Sequence, residues 1–163
     1  MIPPPASIRE LLRRAGWSSD RQVPVSARVP CEHPAQAVLA SLGGLRVGSV
    51  GPGQECGAGD IAFRDADSEL GVEDEWASCL STRLICIGGE HNEHGELFID
   101  SKGRVFGASV IHEVFYLHGL SFWPAIENVL LGRRAKPLIH PTQEHVTLYG
   151  ERYDHGDPRL FSY

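Results

Sequence analysis

The densest group of residues able to bind a metal or transfer protons lies between positions 90 and 96. This stretch reads Glu-His-Asn-Glu-His-Gly-Glu, with two histidines three positions apart and carboxylates beside them. Imidazole and carboxylate groups at such spacing can hold a divalent cation. Glycines border the stretch and β-rich runs flank it, which favours a solvent-exposed hairpin loop over a metal site. We therefore predict no resident metal and no cofactor.

Arrangements for nucleophilic or zinc catalysis are also incomplete. The chain has no Gly-x-Ser-x-Gly elbow, and His140 and His145 lack the spacing of an H-E-x-x-H zinc motif. Cys86 could be combined with one of the eight histidines, but it lies in an apolar run, where a thiol is usually inert. The sequence predicts no catalytic residue and a protein that is not an enzyme. A metal- or thiol-dependent enzyme using His91, His94 or Cys86 is the weaker alternative.

Phosphate-binding loops are absent or out of context. The stretch 57–62 matches the dinucleotide pattern G-x-G-x-x-A. That pattern binds a pyrophosphate only where it joins a strand to the N-terminus of a helix. Here no strand leads into the glycines and the residues after them are β-rich, so we interpret the stretch as a flexible loop. A P-loop signature does not occur in the chain.

The four cysteines, Cys31, Cys56, Cys79 and Cys86, form no C-x-x-C pair. In a secreted domain, four cysteines would suggest two disulfides in one of three connectivities. The N-terminal sequence Met-Ile-Pro-Pro-Pro has no basic region followed by an apolar one, so a secretory signal is not expected. We therefore predict reduced, mostly buried thiols and a cytoplasmic protein.

The charge of the chain is concentrated in one segment. The 163 residues carry 15 Lys and Arg against 21 Asp and Glu, which gives a net charge of −6. Residues 54–79 hold eight acidic residues and a single arginine, so this segment exceeds the net acidity of the whole chain. An acidic protein without a stretch of about 20 apolar residues is a poor partner for nucleic acid or for a membrane.

The periodicity of apolar residues predicts an α+β fold, a mainly antiparallel sheet packed by N-terminal and C-terminal helices. A capping box at Ser7 and Glu10 should begin the first helix. Asp100 to Gly103 should form a tight hairpin turn. The predicted helices start near position 8 and cover 34–42, 73–83 and 121–131, and the predicted strands cover 45–50, 60–64, 84–87, 97–99, 104–108, 113–118 and 146–149.

Six short blocks follow one another along the chain: Leu11–Trp17 with Arg21, Pro34–Leu45 ending in Leu-Gly-Gly-Leu, Gly51–Gly53, Leu84–Gly88, Leu97–Phe106 and Gly119–Arg134. In their order and spacing, these blocks resemble the third family of the SUKH superfamily. No block alone is specific. The residue at 86 departs from the family, because cysteine replaces the usual proline there.

The resemblance implies a fold and a role. It implies a SUKH-like immunity domain over residues 1–136, with 137–163 as a C-terminal extension of unassigned role that packs on the same domain. SUKH proteins are bacterial immunity proteins that bind a toxin domain and block it, and the family has no catalytic residues to carry over. A general protein-interaction adaptor is the main alternative, because the superfamily also has cellular scaffold members.

The acidic segment suggests how a toxin would be recognised. A nuclease or nucleic-acid deaminase presents a cationic face to its substrate, and an acidic surface can occupy that face. We expect the partner to be such a toxin, and we expect no direct nucleic-acid contact, no membrane and no small-molecule ligand. The candidate partner-binding residues are Asp65, Asp67, Glu69, Glu73, Asp74 and Glu75.

Overall fold

A computed structural model describes residues 3–109 and 111–163 of the chain. The described part contains helices and strands in the following order: α1 (Ala6–Arg14), α2 (Pro34–Leu42), β1 (Arg46–Pro52), β2 (Gly57–Phe63), α3 (Glu73–Leu80), β3 (Leu84–Glu90), β4 (Gly95–Asp100), β5 (Val105–Ser109), β6 (Phe115–Gly119), α4 (Phe122–Leu131), β7 (Lys136–Leu138), β8 (His145–Leu148) and β9 (Glu151–Asp154).

The main sheet is an antiparallel meander. Strands β1 to β7 lie side by side in sequence order, and every neighbouring pair is antiparallel. The last two strands, β8 and β9, form a separate hairpin. Short connections suit this arrangement, because antiparallel neighbours can be joined by tight turns. The predicted α+β class and antiparallel sheet are confirmed.

Helices cover both faces of the sheet. On one face, β3 and β4 contribute Ile87 and Leu97 to a core shared with α1, α2 and α4. On the other face, Phe98 and Phe106 pack with Trp76 of α3, whose ring stacks on that of Phe115 at 4.6 Å. Because helices cover both faces, β3 and β4 are buried along their whole length. Strands buried in this way show little alternation of polar and apolar residues.

The turn between β4 and β5 forms as predicted. The Asp100 carboxylate accepts hydrogen bonds from the backbone N–H groups of Lys102 and Arg104, at 2.9 and 2.8 Å. Gly103 has a φ of +81°, a conformation that costs glycine least. Asp100 is fully buried and also pairs with the guanidinium of Arg104. This side chain therefore fixes the hairpin that joins two core strands.

Two local predictions were wrong. The capping box at the start of α1 is not formed: Pro5 occupies the N-cap, Ser7 donates instead to the carboxylate of Glu127 on α4, and Glu10 pairs with arginines of its own helix. The glycines at 57 and 59, predicted as a flexible loop before the strand at 60–64, belong to strand β2 itself. Its glycines are strand residues that pair with β1, so they do not form a phosphate loop.

The solvated loop predicted at 90–96 is shorter in the structure, so the prediction was wrong at both ends of this stretch. Only positions 91–94 form a turn, whereas Glu90 ends β3 and Glu96 lies in β4. Both carboxylates are buried. Glu90 accepts a hydrogen bond from the Tyr116 hydroxyl at 2.7 Å, and its Oε2 lies 2.8 Å from Nε2 of His118. The sequence signals the turn but gives no sign that its flanking acids face the interior.

The residues after 136 contact the main sheet. Strand β7 pairs with β6, Phe161 lies edge-on to Phe106 at 6.5 Å, and the Tyr163 hydroxyl donates to the carbonyl of Ile139. The predicted strand at 146–149 is confirmed as β8, while β7 and β9 were not predicted. The boundary between an immunity domain at 1–136 and a C-terminal extension at 137–163 remains a prediction. In the structure this boundary falls within β7.

Candidate partner-binding surface

Helix α3 presents three acidic residues in its first turn and is anchored by its buried face. Glu73, Asp74 and Glu75 occupy that turn, where negative side chains are stabilised by the helix dipole. Trp76 and Leu80, one turn apart, are 5% exposed and pack against the sheet. The helix therefore points an acidic end outward while its aromatic residue holds it in place.

The loop before α3 is held by a buried carboxylate from the sheet. Glu96 of β4 accepts hydrogen bonds from the Ser68 hydroxyl at 2.6 Å and from the backbone N–H of Glu69 at 2.8 Å. The Ser68 oxygen in turn accepts from the backbone N–H groups of Leu70 and Gly71, each at 3.1 Å. Charge-assisted hydrogen bonds of this kind are among the strong ones in proteins. Glu96 thus fixes the position of the acidic loop on the sheet.

Asp65 is used inside the chain. Its carboxylate accepts hydrogen bonds from the backbone N–H and the hydroxyl of Ser26, and it lies 2.8 Å from Nε of Arg28. Burial alone would raise the pKa of Asp65, but the Ser26 hydrogen bonds and the Arg28 charge outweigh it and lower that pKa. The side chain is only 19% exposed. Among the six predicted residues, Asp65 therefore has the clearest structural role.

Replacing Asp65 with Asn should weaken the fold in a pH-dependent way. We expect Asp65→Asn to lower the free energy of unfolding by about 2 kcal/mol at neutral pH, because it removes charge-assisted hydrogen bonds and an ion pair. A depressed carboxyl pKa stabilises the fold above the usual value of 3.8. That stabilisation is lost as the pH falls through the lower folded pKa. Urea unfolding of both proteins should therefore converge in acid, and a pH-independent difference would contradict the ion pair.

Four of the predicted residues are exposed, and they lie on one continuous stretch. Asp67 is 89% exposed, Glu69 and Asp74 are exposed, and Glu75 is 56% exposed with an oxygen 3.2 Å from Nε2 of His140. Glu73 is half-buried, and its Oε2 accepts no hydrogen bond from the described residues. We name Asp67, Glu69, Glu73, Asp74 and Glu75 the acidic surface.

A groove of about 300 Å³ runs beside the acidic surface. Asp67, Glu73 and Asp74 line it, together with Arg28 and Arg83. Arg28 is paired with Asp65, whereas Arg83 is exposed. The surface therefore presents five carboxylates against one exposed arginine, and it keeps a negative potential.

The other acids of the segment lie elsewhere and do not add to this surface. Asp60 is buried in β2, where it pairs with the guanidinium of Arg46. Glu55 accepts a hydrogen bond from the backbone N–H of Arg134 at 2.8 Å, beyond the C-terminus of α4. The net charge of the segment 54–79 therefore overstates the charge of the surface.

The sites considered for metal and thiol chemistry are not assembled. Across residues 3–109 and 111–163, no three His, Cys, Asp or Glu side chains are grouped so that they could hold a metal ion. Cys86 is buried, and burial raises the pKa of its thiol to about 11, so the thiolate is a minor species at neutral pH. All four cysteines are free thiols, but the prediction that most of them are buried was wrong: Cys86 is buried, Cys56 and Cys79 are half-buried and Cys31 is exposed. No helix in the described part is long and apolar enough to cross a membrane.

Comparison with protein families decides the assignment. The family model of the SUKH-3 immunity protein matches residues 4–132, which is most of the chain. The chain belongs to the SUKH-3 immunity protein family. Comparison with curated proteins and with solved structures finds no match. SUKH-3 immunity proteins are non-enzymatic inhibitors of toxins, so the family assigns the chain an immunity role, with a toxin as its partner.

The SUKH-3 match covers α1 to α4, and so includes the acidic surface and the residues that support it. Sequence reasoning found all five carboxylates of that surface but missed Glu96, which holds the loop, and Arg28, which binds Asp65. Nothing in the local sequence marks either residue for this role, because each acts on a segment that is distant in sequence.

Proposed function

We propose that this SUKH-3 protein binds and neutralises a toxin domain with a cationic active-site face, either a nuclease or a nucleic-acid deaminase, through the acidic surface. The observation that carries the proposal is the set of exposed carboxylates on α3 and its preceding loop, held in place by Glu96. Enzymes that act on nucleic acid must present cationic side chains to phosphates. An acidic surface fixed in this way fits such a cleft.

Surface charge of this kind mainly affects the association rate of a complex and the choice of binding partner. Complementary potentials raise association rates by about 10- to 1000-fold at low ionic strength. They also disfavour partners whose facing surface is acidic. An immunity protein needs both properties, because it must capture its toxin before the nucleic acid does. Since nucleic acid is the proposed target of that toxin, we propose the cytoplasm as the place of action.

The proposal is tested with the product of the neighbouring gene. The chain and that protein should co-purify, and the chain should abolish cleavage or deamination of nucleic acid at about one inhibitor per toxin molecule. Control reactions should use a toxin from an unrelated system, which should remain active. Co-purification without loss of activity would instead favour the adaptor alternative, and absence of any complex would contradict both.

A further inference from the structure

A second cavity, of about 310 Å³, opens where three turns meet. These are the β3–β4, β5–β6 and β8–β9 turns, and they are far apart in the sequence. Its lining is rich in ring-bearing side chains and contains no lysine or arginine among the described residues. The rings are those of His91, His94, His112, His118, Tyr116 and Tyr149.

The floor of this cavity is a buried polar cluster. His118 lines it with a side chain that is 3% exposed, and its Nδ1 has no hydrogen-bond partner among the described residues. Its Nε2 lies 2.8 Å from Oε2 of the buried Glu90, which is also 3.8 Å from Nδ1 of His91. Buried polar atoms without partners are uncommon and call for an explanation.

The turns that border the cavity carry most of the unusual backbone of the described chain. Six non-glycine residues of the described chain have positive φ; five of them lie in these turns, and the sixth, Ser81, caps α3. Residues held in this sparsely populated region concentrate at ligand sites and need support from their surroundings. The five in these turns are His91, Asn92, Glu93, Glu113 and Tyr149.

The chemistry of the lining selects a planar cation with N–H donors. The floor offers Nδ1 of His118 as an acceptor, backed by the Glu90 carboxylate beside its Nε2, and no lysine or arginine among the described residues lines the cavity. A guanidinium group stacks on aromatic and imidazole faces and donates in its plane. Tyr149 already accepts the guanidinium of Arg134 over its ring at 5.3 Å. We propose that this cavity binds a guanidinium group, carried either by a small molecule or by an arginine of the toxin.

The inference is independent of the acidic surface, and it revises the expectation that the chain has no small-molecule ligand. The titratable and charged groups that face the cavity or its floor are Glu90, His91, His94, His112, Tyr116, His118, Tyr149 and, over the Tyr149 ring, Arg134.

Methylguanidinium is the probe, titrated into the full chain and followed by NMR of the histidine and tyrosine rings. We expect saturable shifts confined to the lining rings, with a Kd on the order of 1 mM at neutral pH. Tetramethylammonium, which has the charge but no N–H donor, should not bind. Saturable binding of zinc in place of methylguanidinium would overturn the proposal, as would shifts spread over the whole surface.

Two variants and one control separate the site from general charge effects. Glu90→Gln should raise the Kd about tenfold by removing the carboxylate charge, and His112→Ala, at the exposed rim, should raise it about threefold without threatening the fold. His145→Ala changes an exposed histidine outside the cavity and should leave the Kd unchanged. If His112→Ala leaves the Kd for methylguanidinium unchanged, as His145→Ala should, the proposal fails. Displacement of methylguanidinium by the toxin assigns the group to a toxin arginine, and lack of displacement assigns it to a small molecule.

Discussion

Reversing three charges of the acidic surface should slow association with the toxin by about 100-fold at low ionic strength. The change is Asp67→Lys, Glu69→Lys and Asp74→Lys together. All three side chains are exposed, and the Asp67 carboxylate lies 3.8 Å from Nε of Arg28, which has a closer pair with Asp65. The expected cause is the loss of steering toward a cationic face, so dissociation should change less than association. Stopped-flow mixing of labelled proteins at several salt concentrations measures both rates.

A matched control makes that result specific. Glu10, Glu32 and Glu144 are also exposed carboxylates but lie outside the acidic surface. Reversing these three produces the same change in net charge. We expect the control to slow association by no more than about threefold near 0.15 M salt, because exposed charges more than about 8 Å from the interface are largely screened there. Equal slowing by the two triple variants would show that overall charge, and not this surface, steers the toxin.

Replacing Glu90 with Ala should produce the largest loss of stability among the changes considered. We expect Glu90→Ala to lower the free energy of unfolding by about 3–5 kcal/mol, because it leaves His118 and Tyr116 buried without their shared carboxylate. The stability loss should depend on pH, because the pKa of Glu90 is lowered in the folded protein. Burial alone would raise that pKa, but the His118 charge and the hydrogen bonds to the carboxylate outweigh the effect of burial. The difference from the unchanged protein should therefore be largest above the usual carboxyl pKa of 4.5 and shrink in acid.

Urea unfolding near neutral pH measures this effect. Glu144→Ala removes an exposed carboxylate and should change the free energy of unfolding by less than about 0.5 kcal/mol. Glu90→Gln keeps the shape and one hydrogen-bond acceptor, so it should fall between the two. If Glu90→Ala were as mild as Glu144→Ala, the buried cluster would not be holding β3 and β6 together.

Much of the fold could be predicted because its elements are marked locally. The helix at 34–42 has an apolar face and a glycine pair at its end, and it forms over the predicted residues. The hairpin at 100–103 depends on one aspartate and one glycine within four positions. What was missed depends on contacts distant in sequence. Strand β7 has three residues and exists because β6 offers it an edge, and Ser7 bonds to α4 instead of capping its own helix.

The acidic surface was only partly predictable for the same reason. A count of charges along the chain cannot tell an exposed carboxylate from one that is paired inside. Asp60 and Asp65 belong to the same acidic segment as Asp67, but Arg46 and Arg28 reach them from distant positions. The histidine-lined cavity could not have been predicted at all, because three turns from distant parts of the chain form it.

Hydrogen exchange of the chain, with and without the product of the neighbouring gene, tests the central claim most directly. In the complex, the account predicts slower exchange of backbone amides in residues 66–77, which carry the acidic surface. The far side of the sheet, including α1 and α2, should exchange as in the free protein. Protection of α1 and α2 with unchanged exchange in 66–77 would contradict the account, because the toxin would then bind a different face.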